Sequence, residues 1–298
     1  MKKAKIIHNP TAGKETHSET DLKAALEEHG YQYSYCSTKE KGWKDIDEDT
    51  EFIVVAGGDG TVRKTAVRVL NKLDWKKLSP IALLPLGTAN NISKALGIKG
   101  NPSRILGSID KKKTQAFDVG RVEGLEEKEM FLESFGFGVF PKLIKEMRDH
   151  PVADSTSPEK KIAIAQQILR DIISKYEAPE FEVTIDETVH KGRYLLAEIM
   201  NTGSIGPNLN ISPTADTSDG KLEVILIPEA SRDEFADYVG SKLSDTESEF
   251  HPQILSGEKI IIRTDCKHLH VDDELKDRGD SEKVKVEVDK GFLTFLIA

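Results

Sequence analysis

The chain has 298 residues, with 42 Lys and Arg against 51 Asp and Glu, giving a formal net charge of −9. Apolar residues make up 38% and charged residues 31%, a mixed-sign composition with recurrent apolar clusters that excludes a wholly disordered chain. The acidic balance argues against a nucleic-acid binder held by a general basic field. At roughly 100–200 residues per domain, the length fits two domains. Apolar runs such as Phe52–Ala56 and Ile81–Leu84 fall far short of the ~20 residues that cross a bilayer. The basic start, Met1 to His8, has too short an apolar run for a signal peptide. Cys36 and Cys266 lack the paired spacing of a disulfide framework or a zinc site. The expectation is a cytoplasmic globular protein.

The first half alternates strands and helices. Lys5–His8 reads as an edge or buried strand stopped by Asn9-Pro10. Ser18-Glu19-Thr20-Asp21 offers helix caps, and Leu22, Ala25 and Leu26 recur at helical spacing up to Gly30. Tyr31–Cys36 and Glu51–Ala56 read as the next strands. Val62, Ala66, Val69 and Leu70 then mark a helix, Pro80–Pro85 a fourth strand, and Asn90–Leu96 a further helix. This alternation predicts a parallel sheet with helices on its faces, whose ligands bind beyond the carboxyl ends of the strands.

From Phe117 onward short strands dominate: Phe117–Val122, Met130–Phe137, Phe181–Ile185, Tyr194–Asn201, Leu222–Ile227, Lys259–Thr264, Leu269–Val271, Val284–Val288 and Leu293–Ile297. Two helices interrupt them. One spans about Lys160–Tyr176; the other starts at a capping-box pattern, Ser231 with Glu234 three residues on. Serial short strands predict an antiparallel sandwich. The fold class is therefore α/β, with an N-terminal Rossmann-like nucleotide domain built on a parallel sheet and a C-terminal β-sandwich domain. The boundary is expected in the polar run Asp110–Thr114, giving domains 1–115 and 116–298, with the C-terminal residues free to return to the first.

The chemistry concentrates in turns. Gly57-Gly58-Asp59-Gly60-Thr61 lies between a buried strand and a helix. Its glycines let the backbone approach a ligand, and the helix start offers N–H groups to an anion. An aspartate there suits a bound Mg²⁺ or a polarised water or hydroxyl. The plain alternative is a tight turn with an N-cap aspartate. The pattern is neither the Walker-A sequence nor GxGxxG. Pro85-Leu86-Gly87-Thr88-Ala89-Asn90-Asn91 repeats the arrangement at the next strand end. Two amides and a hydroxyl there can bind phosphate oxygens or a polar head group, or simply cap a helix.

With these turns, the chain resembles the diacylglycerol kinase-like family of lipid kinases over essentially its whole length. The further anchors are Asn9-Pro10 with Gly13-Lys14, Phe117-Asp118-Val119-Gly120, Phe135-Gly136-Phe137-Gly138, Ser218-Asp219-Gly220-Lys221-Leu222 and Val271-Asp272-Asp273-Glu274. The resemblance implies transfer of the γ-phosphoryl group of ATP to a lipid hydroxyl with Mg²⁺, most of all to a diacylglycerol-like lipid, in a cleft between the two domains. It implies that Asn9, Thr38, Gly57, Gly58, Asp59, Gly60, Thr61, Val62, Arg63 and Thr88 line the nucleotide, with Asp59 at the phosphate and metal end and counted among the catalytic candidates. Asn90, Asn91 and Asp118 fall in the cleft. Asp216, Asp219 and Lys221 correspond to a structural Mg²⁺ site of carboxylate and main-chain oxygens, a donor set that suits a hard cation. Without the resemblance, Asp219-Gly220 reads as a hairpin turn. Asp272 and Glu274 are the candidates for receiving the hydroxyl proton, against the alternative of a solvated acidic turn.

Three positions depart from the family pattern. Asn91 stands where an Asp is frequent, Arg63-Lys64 where Asn-Glu is usual, and Asp273 where the family has a glycine between its Asp and Glu. The competing readings are an NAD kinase-like enzyme and a catalytically weak nucleotide- or lipid-binding regulator. Expected partners are the lipid, at a membrane surface or in solution, and no nucleic acid; exposed sandwich strands leave room for a homodimer. Lys111-Lys112-Lys113 and Lys160-Lys161 are candidate patches for peripheral membrane contact.

Overall fold

The computed structural model describes residues 2–12, 18–68, 79–109, 113–153, 156–244, 246, 248 and 250–297. Gly13-Lys14, the helix positions Val69 and Leu70, and Lys111 and Lys112 lie outside them. The chain divides into two units, Met1–Asp118 with Lys290–Ala298, and Val119–Asp289.

The first unit contains β1 (Lys3–His8), α1 (Glu19–Glu28), β2 (Gln32–Ser37), β3 (Phe52–Gly57), α2 (Asp59–Arg68), β4 (Ile81–Pro85), α3 (Asn91–Ala95) and α4 (Pro102–Ser108). The strand β5 (Thr114–Glu123) crosses its boundary at Asp118. Strands β2, β1, β3 and β4 lie side by side and parallel, and Phe295 and Leu296 add a parallel strand beside β4. β1 is thus internal, paired on both sides, and β2 takes the outer place. Every residue of β3 is buried, as a strand covered on both faces requires. At α1, where the sequence offers helix caps, Ser18 makes a capping box with Asp21. The short helix α4 has no counterpart in the sequence reading; Asn101 caps it at the Arg104 N–H, 2.9 Å away, with Pro102 in its first turn.

The second unit contains β6 (Glu129–Phe131), β7 (Ser134–Gly138), α5 (Val139–Asp149), α6 (Pro158–Lys175), β8 (Glu180–Ile185), β9 (Thr188–Met200), β10 (Ser204–Ile205), β11 (Leu209–Asn210), β12 (Leu222–Pro228), α7 (Arg232–Leu243), β13 (Gln253–Gly257), β14 (Lys259–Thr264), β15 (His268–Val271), β16 (Glu274–Asp277) and the first part of β17 (Val284–Leu296). The two C-terminal strands expected from sequence are one strand, β17.

The long strand β9 makes the sandwich. Its first half pairs with β8, which leads through β14 to β17; its second half lies between β7 and β12. The second sheet therefore runs β16-β15-β7-β9-β12-β13, all antiparallel. Phe135, Phe137, Ala197, Ile199, Leu269 and Val271 face Phe181, Val183, Ile260 and Val286 in the core between the sheets. The opposite face of the second sheet is covered by α5, α6 and α7, through Phe140, Leu143, Leu169, Ile173, Phe235 and Val239 packed on Leu196, Met200 and Ile225.

Two local expectations are corrected. The segment after Gly138 is the helix α5, with Pro141 tolerated in its first turn. At α7 Ser231 makes no side-chain cap: a 3₁₀ turn over Glu229–Ser231 leads into the helix, and Ser231 has φ −91° and ψ 20°, outside the extended geometry a capping box needs. Among the described residues no helix is long and apolar enough to cross a membrane. Lys160 and Lys161 stand in the first turn of α6, with Lys160 exposed.

Candidate active site

Parallel register brings the strand ends of the first unit to one edge. His8 lies opposite Ser37 and Ala56, and Gly57 opposite Pro85. Beyond these ends, the Asn9 N–H donates to the Ala56 carbonyl at 2.9 Å, the Thr38 N–H to His8 at 2.8 Å and the Leu86 N–H to Gly57 at 3.0 Å. Asn9, Thr38, the Gly57–Arg63 turn and the Gly87–Asn91 turn consequently start from the same edge, where α/β sheets take their ligands. Asn9 joins the group directly: its Nδ2 donates to Thr61 Oγ1 at 3.2 Å, and its Oδ1 accepts from the Thr11 hydroxyl at 2.8 Å.

Asp59 ties the two glycine turns together. Its Oδ2 accepts the Asn91 N–H at 2.9 Å and its Oδ1 the Ile92 N–H at 3.1 Å, so it caps α3 from a different helix. Asn90, the local cap residue, is unable to do this because it sits in the left-handed region at φ 52° and makes no side-chain cap bond to the helix. Instead its side chain closes the turn on itself, accepting from the Gly87 N–H at 2.9 Å and donating to the Gly87 carbonyl at 2.8 Å. Burial pushes the Asp59 carboxyl upward from its ordinary pKa, opposed by the two N–H bonds.

The glycines have a second reason beyond ligand approach. A Cβ on Gly87 would lie 2.4 Å from Gly58 Cα, and one on Gly58 would lie 2.9 Å from Gly87 Cα. The two turns touch backbone to backbone. Gly87→Ala is therefore expected to lower stability by about 1–3 kcal/mol through overpacking, read as a lower midpoint of chemical unfolding; an unchanged midpoint would show that the turns separate freely.

The remaining first-unit candidates differ in what they present. Val62 is wholly buried, Thr61 and Arg63 nearly so, and Thr88 is exposed. Of the two cations after the glycine turn, only Lys64 is exposed. Asn91 is buried beside the cap it shares with Asp59. Asp118 is buried and accepts the Gly291 N–H at 2.6 Å, holding the returning chain where Gly291 takes φ +57°.

In the second unit, Asp216 Oδ1 accepts from the Ser218 N–H at 2.9 Å and from its hydroxyl at 2.8 Å, while Asp219 Oδ1 accepts the Lys221 N–H at 2.9 Å. Gly220 follows at φ +77°. Each carboxylate spends one oxygen on its own turn. The second oxygens and the main-chain carbonyls are oxygen donors, the type a hard divalent cation takes. Among the described residues no group of three or more His, Cys, Asp or Glu side chains converges on a metal position, so main-chain oxygens would have to complete any such site.

The acidic turn separates Asp272 from Glu274. Val271 pairs with Glu274 across the β15–β16 hairpin, leaving Asp272-Asp273 as its turn. The Asp272 carboxylate is nearly buried and accepts the N–H groups of Glu133 at 2.8 Å, Ser134 at 3.1 Å and Leu132 at 3.2 Å. Glu274 opens β16, with 40% of its side chain exposed and one ion pair to Lys276 at 3.4 Å. The positive φ of this turn falls on Asp272, at 53°, and not on Asp273. Asp273 therefore fits where the family has glycine without left-handed strain.

One constellation escaped the sequence reading. Glu198 and His270, 0% and 1% exposed, face each other with His270 Nε2 3.0 Å from the Glu198 carboxylate, and His270 Nδ1 lies 2.8 Å from the main-chain oxygen of Asp272. Burial opposes the imidazolium, but the Glu198 charge and the hydrogen bonds the ring donates to Glu198 and the Asp272 carbonyl outweigh it and raise the His270 pKa. The available signal was Glu198 itself, a lone acid in the otherwise apolar run Tyr194–Met200.

Comparison with known proteins agrees with this layout. Residues 3–122 match the diacylglycerol kinase catalytic domain, and residues 147–283 match the YegS C-terminal NAD kinase beta sandwich-like domain. Together the two matches cover most of the chain, which in this pair of domains is similar to the diacylglycerol kinase-like family of lipid kinases. Members of this family are phosphotransferases with an alcohol acceptor. A diacylglycerol kinase of Staphylococcus epidermidis is 25% identical over 293 residues, covering 92% of this chain and 86% of its own. One of Bacillus subtilis is 24% identical over 253 residues, covering 79% of this chain and 77% of its own. A crystal structure of a diacylglycerol kinase from Bacillus anthracis, 22% identical, superposes with a TM-score of 0.70 and covers 100% of this chain and 97% of that one. At that identity the likeness establishes the fold.

Proposed function

We propose that this lipid kinase uses ATP and Mg²⁺ to phosphorylate the hydroxyl of a diacylglycerol-like lipid. The observation that carries the reading is the Asp59 bridge, which locks two glycine turns at the carboxyl ends of adjacent parallel strands. Phosphoryl transfer asks a protein mainly for positioning and for charge stabilisation. In this reading Asn9, Thr38, the Gly57–Arg63 turn and Thr88 hold the nucleotide. Gly58, Gly60 and Gly87 leave room for phosphate beside main-chain N–H groups, and Val62 contributes through its backbone. Asn90, Asn91 and Asp118 shape the surroundings. Asp59 positions both turns and needs no proton transfer to do so.

Asp216, Asp219 and the main-chain oxygen of Lys221 would hold Mg²⁺ in the second unit. When bound, the cation supplies charge that orders this loop and screens its carboxylates. For the hydroxyl proton we assign Glu274. Asp272 keeps its carboxylate on three N–H groups, whereas Glu274 is open to solvent on one side. An ordinary carboxylate, with a pKa of about 4, orients the alcohol and takes the proton late in the transfer.

The test is a γ-labelled ATP assay against diacylglycerol, monoacylglycerol, phosphatidylglycerol, sphingosine and NAD, with and without Mg²⁺. Label is expected in the diacylglycerol product, only with Mg²⁺ present. Label on NAD would support the NAD kinase-like reading, and ATP binding with no transfer would support a regulator.

A further inference from the structure

Glu198, Gly136 and His270 are cross-strand neighbours on three adjacent strands. Gly136 of β7 lies opposite Glu198 of β9 on one side and opposite His270 of β15 on the other. Because the middle strand carries no side chain there, the Glu198 carboxylate reaches across it, and both of its oxygens lie 3.0 Å from His270 Nε2. A Cβ on Gly136 would lie 2.0 Å from Glu198 Oε2. Gly136 is not among the glycines with positive φ; a side chain is excluded there by the crossing carboxylate and by the Ala197 main-chain oxygen, 2.8 Å from the same Cβ. The Phe140 ring of α5 packs edge-on against His270 at 6.2 Å.

The proton positions follow from the partners. The Asp272 carbonyl only accepts, so His270 Nδ1 carries a hydrogen and donates it. Nε2 faces the Glu198 carboxyl, whose negative charge favours the imidazolium, the form that donates on both sides. A buried ion pair is weak evidence for stability, since packed apolar residues commonly serve as well or better. What this pair provides is a fixed orientation. The Asp272 carboxylate anchors the turn to Leu132–Ser134, and the Asp272 carbonyl, which belongs to the peptide leading into Asp273, is anchored to His270. Glu274 follows on β16, which among the described residues ends its sheet and pairs with β15.

We propose that Glu198 and His270 are positioning residues for phosphoryl transfer: by holding the Asp272 carbonyl, the pair sets where the turn presents Glu274. The effect on turnover rests on the lipid-kinase reading above; the effect on the turn rests on geometry alone.

The experiment compares the full chain carrying Glu198→Ala, Gly136→Ala or Glu198→Gln. Alanine at 198 removes the partner, and alanine at 136 displaces it. Glutamine keeps the geometry: its amide N–H donates to Nε2 of a neutral His270, whose Nδ1–H still bonds the Asp272 carbonyl. Amide hydrogen exchange at Asp272–Glu274 is expected to quicken about tenfold or more in both alanine variants. At saturating ATP, kcat is expected to fall about tenfold or more, with the KM for ATP within about twofold, as a small misplacement of a reacting group predicts. Glu198→Gln should restore both. If the alanine variants do not fold, Glu198→Leu removes the charge while filling the space, with the same outcomes expected. Folded Glu198→Ala, Gly136→Ala or Glu198→Leu protein with wild-type exchange and wild-type kcat overturns the proposal. So does Glu198→Gln behaving no better than Glu198→Ala. A wild-type enzyme that labels no lipid refutes the lipid-kinase reading instead, and unchanged exchange in the alanine variants then still refutes the anchoring of the turn.

Discussion

Glu274→Gln is expected to lower kcat for lipid phosphorylation ~100-fold or more, the usual range for a positioned acid–base group, with ATP affinity near that of the wild type. Glutamine keeps the length and the acceptor oxygen of the side chain but is unable to take a proton. It gives up an ion pair to Lys276, with 40% of the Glu274 side chain and 32% of the Lys276 side chain exposed; such pairs contribute little to stability. The loss should therefore appear in turnover and not in the unfolding midpoint. The turns proposed to hold ATP belong to the first unit and Glu274 to the second, and nucleotide affinity measured by calorimetry is the control. Wild-type turnover in Glu274→Gln would move the proton-accepting role elsewhere, with Asp59 the next carboxylate to test.

Asp272→Ala should behave in the opposite way, as a stability variant first. Its carboxylate is the shared acceptor for three N–H groups, of which those of Leu132 and Ser134 belong to buried residues. Each buried donor left without a partner costs about 1–3 kcal/mol. Alanine at φ +53° adds about 1–2 kcal/mol that aspartate largely avoids. The expected total is about 3–8 kcal/mol by these contributions, against a typical domain stability of about 5–15 kcal/mol. The urea midpoint of the second unit should drop sharply or the unit should fail to fold. Asp272→Asn separates the two roles: it tolerates the left-handed conformation and keeps Oδ1, which accepts the shortest of the bonds, so a smaller loss of about 1–3 kcal/mol is expected. A stable Asp272→Asn protein with turnover reduced ~100-fold would place Asp272 in the chemistry and contradict the assignment to Glu274.

Much of the first unit was legible because its determinants are local. The buried run Phe52–Ala56, the glycine turn after it and the apolar spacing of Val62 and Ala66 all lie within one strand–turn–helix segment, and periodicity reads such segments directly. The helix cap at Ser18 was legible for the same reason, its partner Asp21 lying three residues on. Ser231 and Glu234 have the same spacing without the bond, because the chain enters α7 through a 3₁₀ turn that fixes the backbone first. The helix α5 was missed because it follows β7 directly, with Gly138 supplying no side-chain cap and Pro141 standing in its first turn, so no start signal marks it in the sequence.

The sequence by itself determined the order of strands and helices in the first unit, the sandwich character of the second, and the family, through short motifs whose chemistry is contained in a few consecutive residues. Only the tertiary structure decided what those residues do to one another. Asp59 caps a helix 32 residues further along, Glu198 meets a histidine 72 residues away, and Asp272 holds N–H groups up to 140 residues away. Gly58 and Gly87 were each readable as room for a ligand, but their mutual contact at the edge of the sheet exists only once β3 and β4 pair in register. The distinction between Asp272 and Glu274 has the same origin. Two carboxylates two residues apart look equivalent in the chain, and they differ because β15 pairs with β7 and thereby delivers one of them to the Leu132–Ser134 backbone while β16, at the sheet edge, leaves the other half-buried beside Lys276.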